Sequence, residues 1–371
     1  MIARGLALAT LATVALAQSS ADLITVLNST EGTSSMAEAL AASPLVLEAI
    51  KGRTNITVLA PNNTAIELLD GTPQGETIEA GGADFLNNVL LYHIINGGYN
   101  NITDYYVAHT FLTSSNYTSV TGGQNLAIWY DDDEDVMGVY GPWYTEITGA
   151  NKPIPFSQGW IYIVDGVLEI PPVMSTVATS HKFNGTSFVE ALNKTGLTSQ
   201  MDNLSDATYF IPVDDGFDDV ACSLSQLSNE ELVEVLKYHV IQGKAWLFDD
   251  LQNGTQLTTL QGQSLTATET PAGDWFINNA GVVWVNLPSF AGTVFFIDNV
   301  LNPHASWSPP VNGSDDGVAA FATCTNGTGS STPSSSAGVS TATYTGAATP
   351  MRTSELGSAF LLAGAALAFA L

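Results

Sequence analysis

The chain has 371 residues, and its 36 acidic side chains outnumber the 9 lysines and arginines, which leaves a formal net charge of -27. A surface this negative repels phosphate backbones and anionic lipid headgroups, which argues against nucleic-acid binding and against adsorption on an anionic membrane. At about 150 residues per domain, the length predicts two domains.

The N-terminus has the pattern of a secretory signal peptide. Arg4 precedes an apolar stretch at 6–16, and the small residues Ala15 and Ala17 have the A-x-A spacing of a cleavage site. Because the apolar stretch is too short to span a bilayer, we expect residues 1–17 to be removed on secretion.

The middle of the chain contains an internal repeat, in which three motifs recur in the same order. NITVLAPNNTAIELL at 55–69 recurs as DATYFIPVDDGFDDV at 206–220, LLYHIINGG at 90–98 recurs as LKYHVIQGK at 236–244, and WIYIVDGVLEIP at 160–171 recurs as TVFFIDNVLNP at 293–303. Self-similarity of this kind predicts two copies of one domain.

The same elements are predicted in both copies. Apolar spacing indicates a helix at 36–51 and its counterpart at 187–197, and a β-rich run ending in proline follows each of them. Short helices lead into the tyrosine–histidine motif, after which β-branched and aromatic residues alternate with turn residues, as in antiparallel hairpins. Helices that precede an antiparallel sheet predict an α+β fold. The first copy carries an enlarged hairpin or loop at 129–156.

The ordered motifs, present twice, resemble the fasciclin (FAS1) domain. The resemblance covers about residues 20–303 and implies two tandem domains, at 18–172 and 173–304, each with a seven-stranded β-sandwich-like core and flanking helices. It further implies a non-enzymatic role in extracellular adhesion, matrix or cell wall. The layout is similar to that of lipid-anchored fungal proteins with two such domains.

The tyrosine–histidine pairs are the candidate site that the resemblance implies. In this family such pairs are associated with adhesion in some members and with domain integrity in others. The sequence offers no companion ligand or nucleophile in either copy, which favours rings that are hydrogen-bonded inside the fold. The candidate residues are Tyr92, His93, Tyr238 and His239, with Asp165 and Asp298 in the third motif.

The C-terminus is typical of a glycosylphosphatidylinositol signal. Residues 305–349 are rich in Ser, Thr, Gly, Pro and Ala, which predicts an O-glycosylated stalk outside the folded domains. Small residues beginning at Gly346, a polar spacer and an uncharged tail predict a lipid anchor at Gly346 and loss of the tail within 350–371. A single-pass tail anchor and a buried helix are the alternatives.

Covalent modifications follow from the secretory route. Repeated N-x-S/T sequons in a chain with a signal peptide predict heavy N-glycosylation. The sequons are at Asn28, Asn55, Asn62, Asn101, Asn116, Asn184, Asn193, Asn203, Asn253, Asn312 and Asn326. Only two cysteines are present, Cys222 and Cys324, so either one disulfide ties the start of the stalk to domain 2 or both thiols stay free.

Motifs of catalysis and cofactor binding are missing from the sequence. Its five histidines form no HExxH pair, and it contains no G-x-S-x-G elbow, P-loop or dinucleotide fingerprint. The acidic run at 131–135 has the alternate carboxylates of a calcium loop but lacks its glycine and closing glutamate, which favours a solvated hairpin tip. Aromatic residues between 129 and 144 suit glycan stacking or core packing. We expect no enzyme, no metal and no cofactor.

The function predicted from these features is that of a cell-surface glycoprotein. It would be lipid-anchored on the outer face of the plasma membrane or in the cell wall, with weak, multivalent contacts to wall or matrix glycans, surface proteins or other copies of itself. Two alternatives stay open: a lumenal docking or fusion factor at the vacuolar membrane, and a secreted glycan or ester hydrolase.

Overall fold

The computed structural model describes residues 21–103, 105–131, 136–142, 144–148, 152–180, 184–307 and 316–324. Several predicted features lie outside these residues: the signal peptide, most of the stalk, the lipid signal with Gly346, and the sequons Asn312 and Asn326. Within the described ranges, no helix has the length and apolarity that a bilayer crossing requires.

Domain 1, residues 21–172, begins with helices and ends with a sheet. Its helices are α1 (Leu23–Ser29), α2 (Ser34–Ala41), α3 (Pro44–Ile50), α4 (Asn63–Glu67) and α5 (Pro73–Tyr92). Its strands are β1 (Ile56–Pro61), β2 (Ile94–Ile95), β3 (Tyr106–His109), β4 (Asn125–Asp131), β5 (Val136–Tyr140), β6 (Tyr144–Thr148), β7 (Ile154–Phe156) and β8 (Gly159–Val164).

Domain 2, residues 173–304, repeats this order. Its helices are α6 (Met174–Ala178), α7 (Thr186–Thr195), α8 (Thr198–Asp202), α9 (Asp214–Asp218), α10 (Ala221–Leu224) and α11 (Asn229–Tyr238), with a 3-10 turn at Phe248–Asp250. Its strands are β9 (Ala207–Pro212), β10 (Val240–Gln242), β11 (Gln256–Thr258), β12 (Ser264–Glu269), β13 (Trp275–Ile277), β14 (Ala280–Ser289) and β15 (Gly292–Ile297).

The two sheets share one topology. The strand order is β2-β1-β8-β6-β5-β4-β3 in domain 1, with β7 also paired to β8, and β10-β9-β15-β14-β13-β12-β11 in domain 2. The first strand of each domain runs parallel to the last, so that Pro61 pairs with Val164 and Pro212 with Ile297. The other strand pairs are antiparallel, and the fold is therefore α+β with one parallel pair in each domain.

Each domain buries apolar side chains on both faces of its first strand. In domain 1, Val58 packs with the helices α1 to α3, while Leu59 packs with Ile128 and Val139 from the later strands. Alternate residues of a strand point to opposite faces, so one strand serves both layers. An isolated bridge joins β2 to the residue after β3, and another joins β10 to the residue after β11, so the two ends of each sheet meet around a sandwich-like core.

Three features differ from the sequence-based expectation. The helix predicted at 36–51 is two helices, because Pro44 lacks an amide hydrogen and starts α3 at its first turn. Domain 1 has eight strands rather than seven, since the enlarged hairpin adds β7. The predicted stalk at 305–349 is not separate from the fold throughout, because residues 316–324 pack on domain 2.

Hydrogen bonds join the two domains through a loop before β4. Asp206 accepts from both the amide and the hydroxyl of Thr121, each at 2.7 Å. The Ser119 amide donates to the Phe290 carbonyl at 2.8 Å. The fully buried Gln124 donates from Nε2 to the Ser289 carbonyl at 2.8 Å. The buried pair of Gln124 and Ser289 fixes a relative orientation most strongly, because breaking it leaves unsatisfied groups.

An irregular part of β14 supplies the second half of this interface. The register of β14 against β15 shifts between Val282 and Trp284 and again between Trp284 and Leu287. Within that stretch Asn286 has φ of 60°, and its Nδ2 donates to the Tyr105 hydroxyl of domain 1 at 2.8 Å. The Trp284 ring meets Tyr140 edge-on, with ring centroids 6.2 Å apart. The bulged strand thus carries the residues that dock domain 1.

We expect Tyr105 and Asn286 to stabilise the fold as a coupled pair. Asn286→Gly keeps the left-handed backbone accessible and removes the amide, whereas Tyr105→Phe removes only the hydroxyl. A double-mutant cycle in denaturant unfolding should give a coupling energy of about 1 kcal/mol. Additive single effects would show that the contact does not hold the domains together. Tyr99→Phe, on the same loop, is the matched control for loss of a phenol.

Candidate functional site

Each candidate histidine bridges a helix to the segment after the last strand. The His93 Nδ1 lies 2.8 Å from the Val89 carbonyl, and its Nε2 accepts the Leu168 amide at 2.9 Å. In domain 2, the His239 Nδ1 lies 2.8 Å from the Val235 carbonyl, and its Nε2 accepts the Leu301 amide at 2.9 Å. Because the carbonyl accepts, Nδ1 must be protonated and Nε2 must not be.

The paired tyrosines tie the same helix ends to the first residues of β4 and β12. Tyr92 is fully buried, and its hydroxyl donates to the Asn125 carbonyl at 3.1 Å. Tyr238 is 4% exposed, and its hydroxyl donates to the Ser264 carbonyl at 3.1 Å while accepting from Asn278 Nδ2 at 2.9 Å. Both residues of each pair therefore face inward, toward the backbone.

The environment keeps both rings neutral. Burial lowers the pKa of His93 to about 4 and that of His239 to about 4, although the hydrogen bonds to Val89 and Val235 act in the opposite direction. A general base needs a ring nitrogen that can reach substrate. Here both nitrogens of each ring contact the backbone and the rings are 1% and 0% exposed. The geometry supports a structural role for the tyrosine–histidine pairs.

The two aspartates of the third motif have different surroundings. Asp298 Oδ1 accepts the Gly281 amide at 2.8 Å and Asn299 Nδ2 at 2.9 Å, and Oδ2 accepts the Gly317 amide at 2.6 Å. Asp165 is more exposed than Asp298, with its carboxyl only partly buried, and its backbone amide donates to the Glu146 carbonyl at 3.1 Å. Burial raises the pKa of both carboxyls, that of Asp298 to about 6. The aspartate of the third motif therefore has different roles in the two domains: the Asp298 carboxylate accepts three hydrogen bonds, and Asp165 contributes its backbone amide.

Residues 316–324, which we call the strap, lie across domain 2. The Val318 amide donates to the Asn279 carbonyl at 2.8 Å, and Asn279 Nδ2 donates back to the Val318 carbonyl at 2.7 Å. Asn302 Nδ2 donates to the Ala320 carbonyl at 3.0 Å. At the end of the strap, Cys324 forms a disulfide with Cys222, with Cα atoms 5.6 Å apart.

Comparison with known proteins assigns the fold. A family model described as the fasciclin domain matches residues 31–171 and residues 184–303, which together are more than half of the chain. The chain belongs to the fasciclin domain family. The two matches contain both sheets and both tyrosine–histidine pairs, and the helices α1 and α6 lie just before them.

Named relatives come from fungi, bacteria and insects. A fasciclin-like arabinogalactan protein of Arthroderma benhamiae is 26% identical over 299 residues, covering 78% of this chain and 68% of that protein. A cell surface glycolipoprotein of Mycobacterium bovis is 34% identical over 140 residues, covering 36% of this chain and 57% of that protein. A solved FAS1 domain pair from the insect cell adhesion molecule Fasciclin I is 20% identical, with a TM-score of 0.36, covering 73% of this chain and 97% of that structure.

Two threonines that the sequence patterns did not single out also hold the fasciclin fold. Thr57 donates its hydroxyl to the Gly97 carbonyl at 2.8 Å and accepts the Tyr99 amide at 2.9 Å. Its counterpart Thr208 donates to the Lys244 carbonyl and accepts the Trp246 amide. Thr57 and Thr208 occupy the same position in the first repeated motif. Their recurrence is the feature of the sequence that could have identified them.

The glycosylation sequons are mostly on the surface of the fasciclin domains. Of those within the described residues, Asn62 is half-buried and its Oδ1 caps α4 by accepting the Ala65 amide at 2.8 Å. The others have exposed asparagines: Asn28, Asn55, Asn101, Asn116, Asn184, Asn193, Asn203 and Asn253. Exposure makes these asparagines accessible to modification, and their occupancy stays a prediction.

The enlarged hairpin of domain 1 contributes to the core more than to a surface. Trp129 is 1% exposed and Tyr140 is 3% exposed, and their rings stack with centroids 6.4 Å apart. Asp131 pairs with Val136 across β4 and β5, and residues 132–135 of the acidic run lie outside the described residues. Among the described residues, no three metal-ligating side chains lie close enough together to hold an ion. Calcium binding at 131–135 stays untested.

Asp298 is expected to make the folded protein more stable as the pH falls from 7 to 5. The pKa of Asp298 is raised above its unfolded value, so the folded chain takes up a proton first, and the free energy of unfolding contributed by this group increases from pH 7 to pH 5. Asp316 adds charge repulsion that protonation relieves. The free energy of unfolding of wild type minus that of Asp298→Asn should rise by about 1 kcal/mol from pH 7 to pH 5 in denaturant unfolding.

The titration of His93 and His239 lowers stability in acid, opposite to the effect of Asp298. Because both proteins contain these histidines, subtracting one free energy of unfolding from the other removes their contribution. A difference that stays constant or narrows in acid would contradict the assignment. Asp202→Asn is a suitable control, because its carboxylate also accepts from a backbone amide, that of Ser175, at 2.9 Å and lies away from the strap.

Proposed function

We propose that this fasciclin-domain protein is a lipid-anchored cell-surface glycoprotein that acts in adhesion or in organisation of the cell wall and matrix through non-catalytic contacts. The observation that carries the proposal is the pair of fasciclin domains. Relatives that match over 299 and 140 residues are named as a fasciclin-like arabinogalactan protein and a cell surface glycolipoprotein. The exposed sequons and the signal-like termini support the same assignment.

The tyrosine–histidine pairs point into the domains, so they are not the surface that contacts partners. Because Tyr92, His93, Tyr238 and His239 are buried, contacts with partners are made by other surfaces and by attached glycans. Weak contacts suffice when many copies share one surface, since tethering raises the effective concentration of each. The candidate partners are wall or matrix glycans, surface proteins and other copies of the chain.

Release from intact cells tests the anchor. Treatment with a phosphatidylinositol-specific phospholipase should free the protein into the medium, and a variant in which Gly346 and its two neighbouring small residues are replaced by large ones should lose surface retention. Protein that stays on phospholipase-treated cells as a full-length species would contradict the lipid anchor. Imaging that places the protein on the lumenal side of the vacuolar membrane would favour the docking alternative.

Binding of the secreted form tests the contact role. The chain ended after Cys324 and produced in its own secretory pathway should sediment with isolated cell walls or adhere to matrix-coated surfaces. Treatment with an endoglycosidase separates glycan-mediated from protein-mediated contact. A form that binds neither walls, matrix nor cells at high surface density would contradict the adhesion proposal.

A further inference from the structure

The disulfide that closes the strap lies at the surface of domain 2. Cys222 is exposed and Cys324 is half-buried. A disulfide that solvent can reach is open to attack by an incoming thiolate, whereas one inside a core is shielded from it. The bond is therefore within reach of a thiol on another molecule.

Hydrogen bonding distinguishes the two sulfur atoms. The Cys222 amide donates to the Cys324 Sγ at 2.9 Å. In thiol–disulfide exchange the attacking thiolate bonds to one sulfur, and the other sulfur leaves as a thiolate. A donor beside a sulfur stabilises the negative charge that develops on it. Attack on Cys222 is thus favoured twice, because Cys222 is the more exposed residue and because Cys324 leaves with a donor already in place.

The attacking thiol must come from another molecule. Cys222 and Cys324 are the only cysteines of the chain, and both are in this bond. The exposed residues Asp218 and Asp219 precede Cys222, and the Asp219 carbonyl accepts the Cys324 amide at 2.7 Å. These carboxylates and the net charge of -27 repel an anionic thiol and attract a thiol that has basic neighbours.

The strap determines whether the product of exchange persists. Apart from the disulfide, the strap is held by hydrogen bonds, most of them to its backbone, and by the packing of Phe321. Holding residues 316–324 in one conformation costs about as much free energy as such contacts return, so a strap without its disulfide opens readily. Once it opens, the Cys324 thiol moves away from Cys222, and the reverse attack becomes slow.

We propose that the disulfide of Cys222 and Cys324 is a thiol-exchange site that attaches this protein covalently to a partner protein with an exposed cysteine among basic residues. The partner thiolate bonds to the Cys222 Sγ, the bond to Cys324 breaks, and the Cys324 Sγ takes the electron pair and then a proton from solvent. One disulfide replaces another, so the exchange consumes no oxidant or reductant. The bond makes a surface contact permanent, and it rests on the proposed function only for its location outside the cell.

Exchange with cysteine peptides tests this on the intact, oxidised protein. The probes are two capped tripeptides, Lys-Cys-Lys and Glu-Cys-Glu, each equimolar with the protein at mildly alkaline pH. Acid quenching, maleimide labelling of free thiols and mass spectrometry then locate the products. We expect a single peptide on Cys222 and the maleimide on Cys324. At low ionic strength Lys-Cys-Lys should react about tenfold faster per thiolate than Glu-Cys-Glu, and added salt should reduce the difference.

Charge variants locate the source of that preference. Asp218→Asn combined with Asp219→Asn removes the carboxylates next to the bond and should bring the two rates within about threefold of each other. Glu38→Gln combined with Glu67→Gln removes the same charge from exposed positions in domain 1 and should leave the ratio of rates unchanged.

A strap variant tests the coupling between exchange and opening of the strap. Asn302→Ala removes the donor to the Ala320 carbonyl, which lies four residues before Cys324. The variant should raise the equilibrium yield of the mixed disulfide about fivefold, as loss of one hydrogen bond from the closed strap would, because the open strap is then favoured. The initial rate of attack should not change, since neither sulfur is altered.

Four results would overturn the proposal. Three of them are attachment of the peptide mainly to Cys324, equal rates for the two peptides, and a yield that Asn302→Ala leaves unchanged. The fourth is a folded protein that forms no mixed disulfide under conditions in which the denatured protein exchanges, because the fold would then shield the bond. The assay contains no cells or walls, so a failure here leaves the adhesion proposal standing, and a failure of adhesion leaves the exchange chemistry unaffected.

Discussion

Replacing both Cys222 and Cys324 by serine is expected to lower the free energy of unfolding of domain 2 by about 3 to 4 kcal/mol, because the bond closes a long loop in the unfolded chain. The two residues are separated by 102 positions, so the reduced unfolded chain gains considerable conformational freedom. Denaturant unfolding of the double variant beside the oxidised wild type measures the effect.

Wild type unfolded in the presence of a thiol reductant should behave like the double variant. Ser223→Ala, which removes only the hydroxyl that donates to Ala322, is the local control and should cost less than about 1 kcal/mol. If the double variant unfolds at the same denaturant concentration as the oxidised wild type, the disulfide does not contribute to the stability of domain 2.

The variants His93→Ala and His239→Ala are each expected to destabilise their own domain by about 2 kcal/mol, because each leaves a buried amide and a buried carbonyl without the partner that the ring provided. The amides are those of Leu168 and Leu301. Thermal and denaturant unfolding measure the loss, and His304→Ala, at an exposed position, should be neutral.

The pH dependence gives a second readout of the same bridges. The pKa of each ring is lowered to about 4 from the ordinary 6.5, so the stability that the neutral ring provides is complete above about pH 6.5 and is lost as the pH falls toward 4. Each alanine variant should lose part of that acid sensitivity. Unchanged unfolding together with lost cell adhesion would instead make the tyrosine–histidine pair a contact surface.

Much of the fold was predictable because the repeat supplied an internal comparison. Apolar periodicity placed α7 and α11, and the proline-ended runs placed β1 and β9. The helix α5 was not predicted over most of its length, because Gly81 and Gly82 interrupt its pattern and Gly82 has φ of 60° in a kink. A local pattern does not reveal two helical segments that join at such a kink, because glycine disfavours helix on both sides of it.

The candidate site was predictable in its residues but not in its partners. The recurrence of His93 and His239 indicated an internal role, yet their acceptor and donor are backbone atoms whose positions depend on the fold. The interface between the domains could not be predicted from the sequence either, because no motif or residue spacing distinguishes Asp206, Gln124 and Asn286 from other polar residues. Their importance comes from contacts made between segments far apart in sequence.

The disulfide also determines which part of the chain would bear mechanical load. If the protein is held at its C-terminus and pulled through a partner bound to domain 1, tension enters at Cys324 and crosses directly to Cys222. The residues between them, which include β10 to β15 and His239, are then bypassed. The load falls instead on the segment before Cys222, which includes β9, and on the contact between Thr121 and Asp206, which lies at the start of that segment.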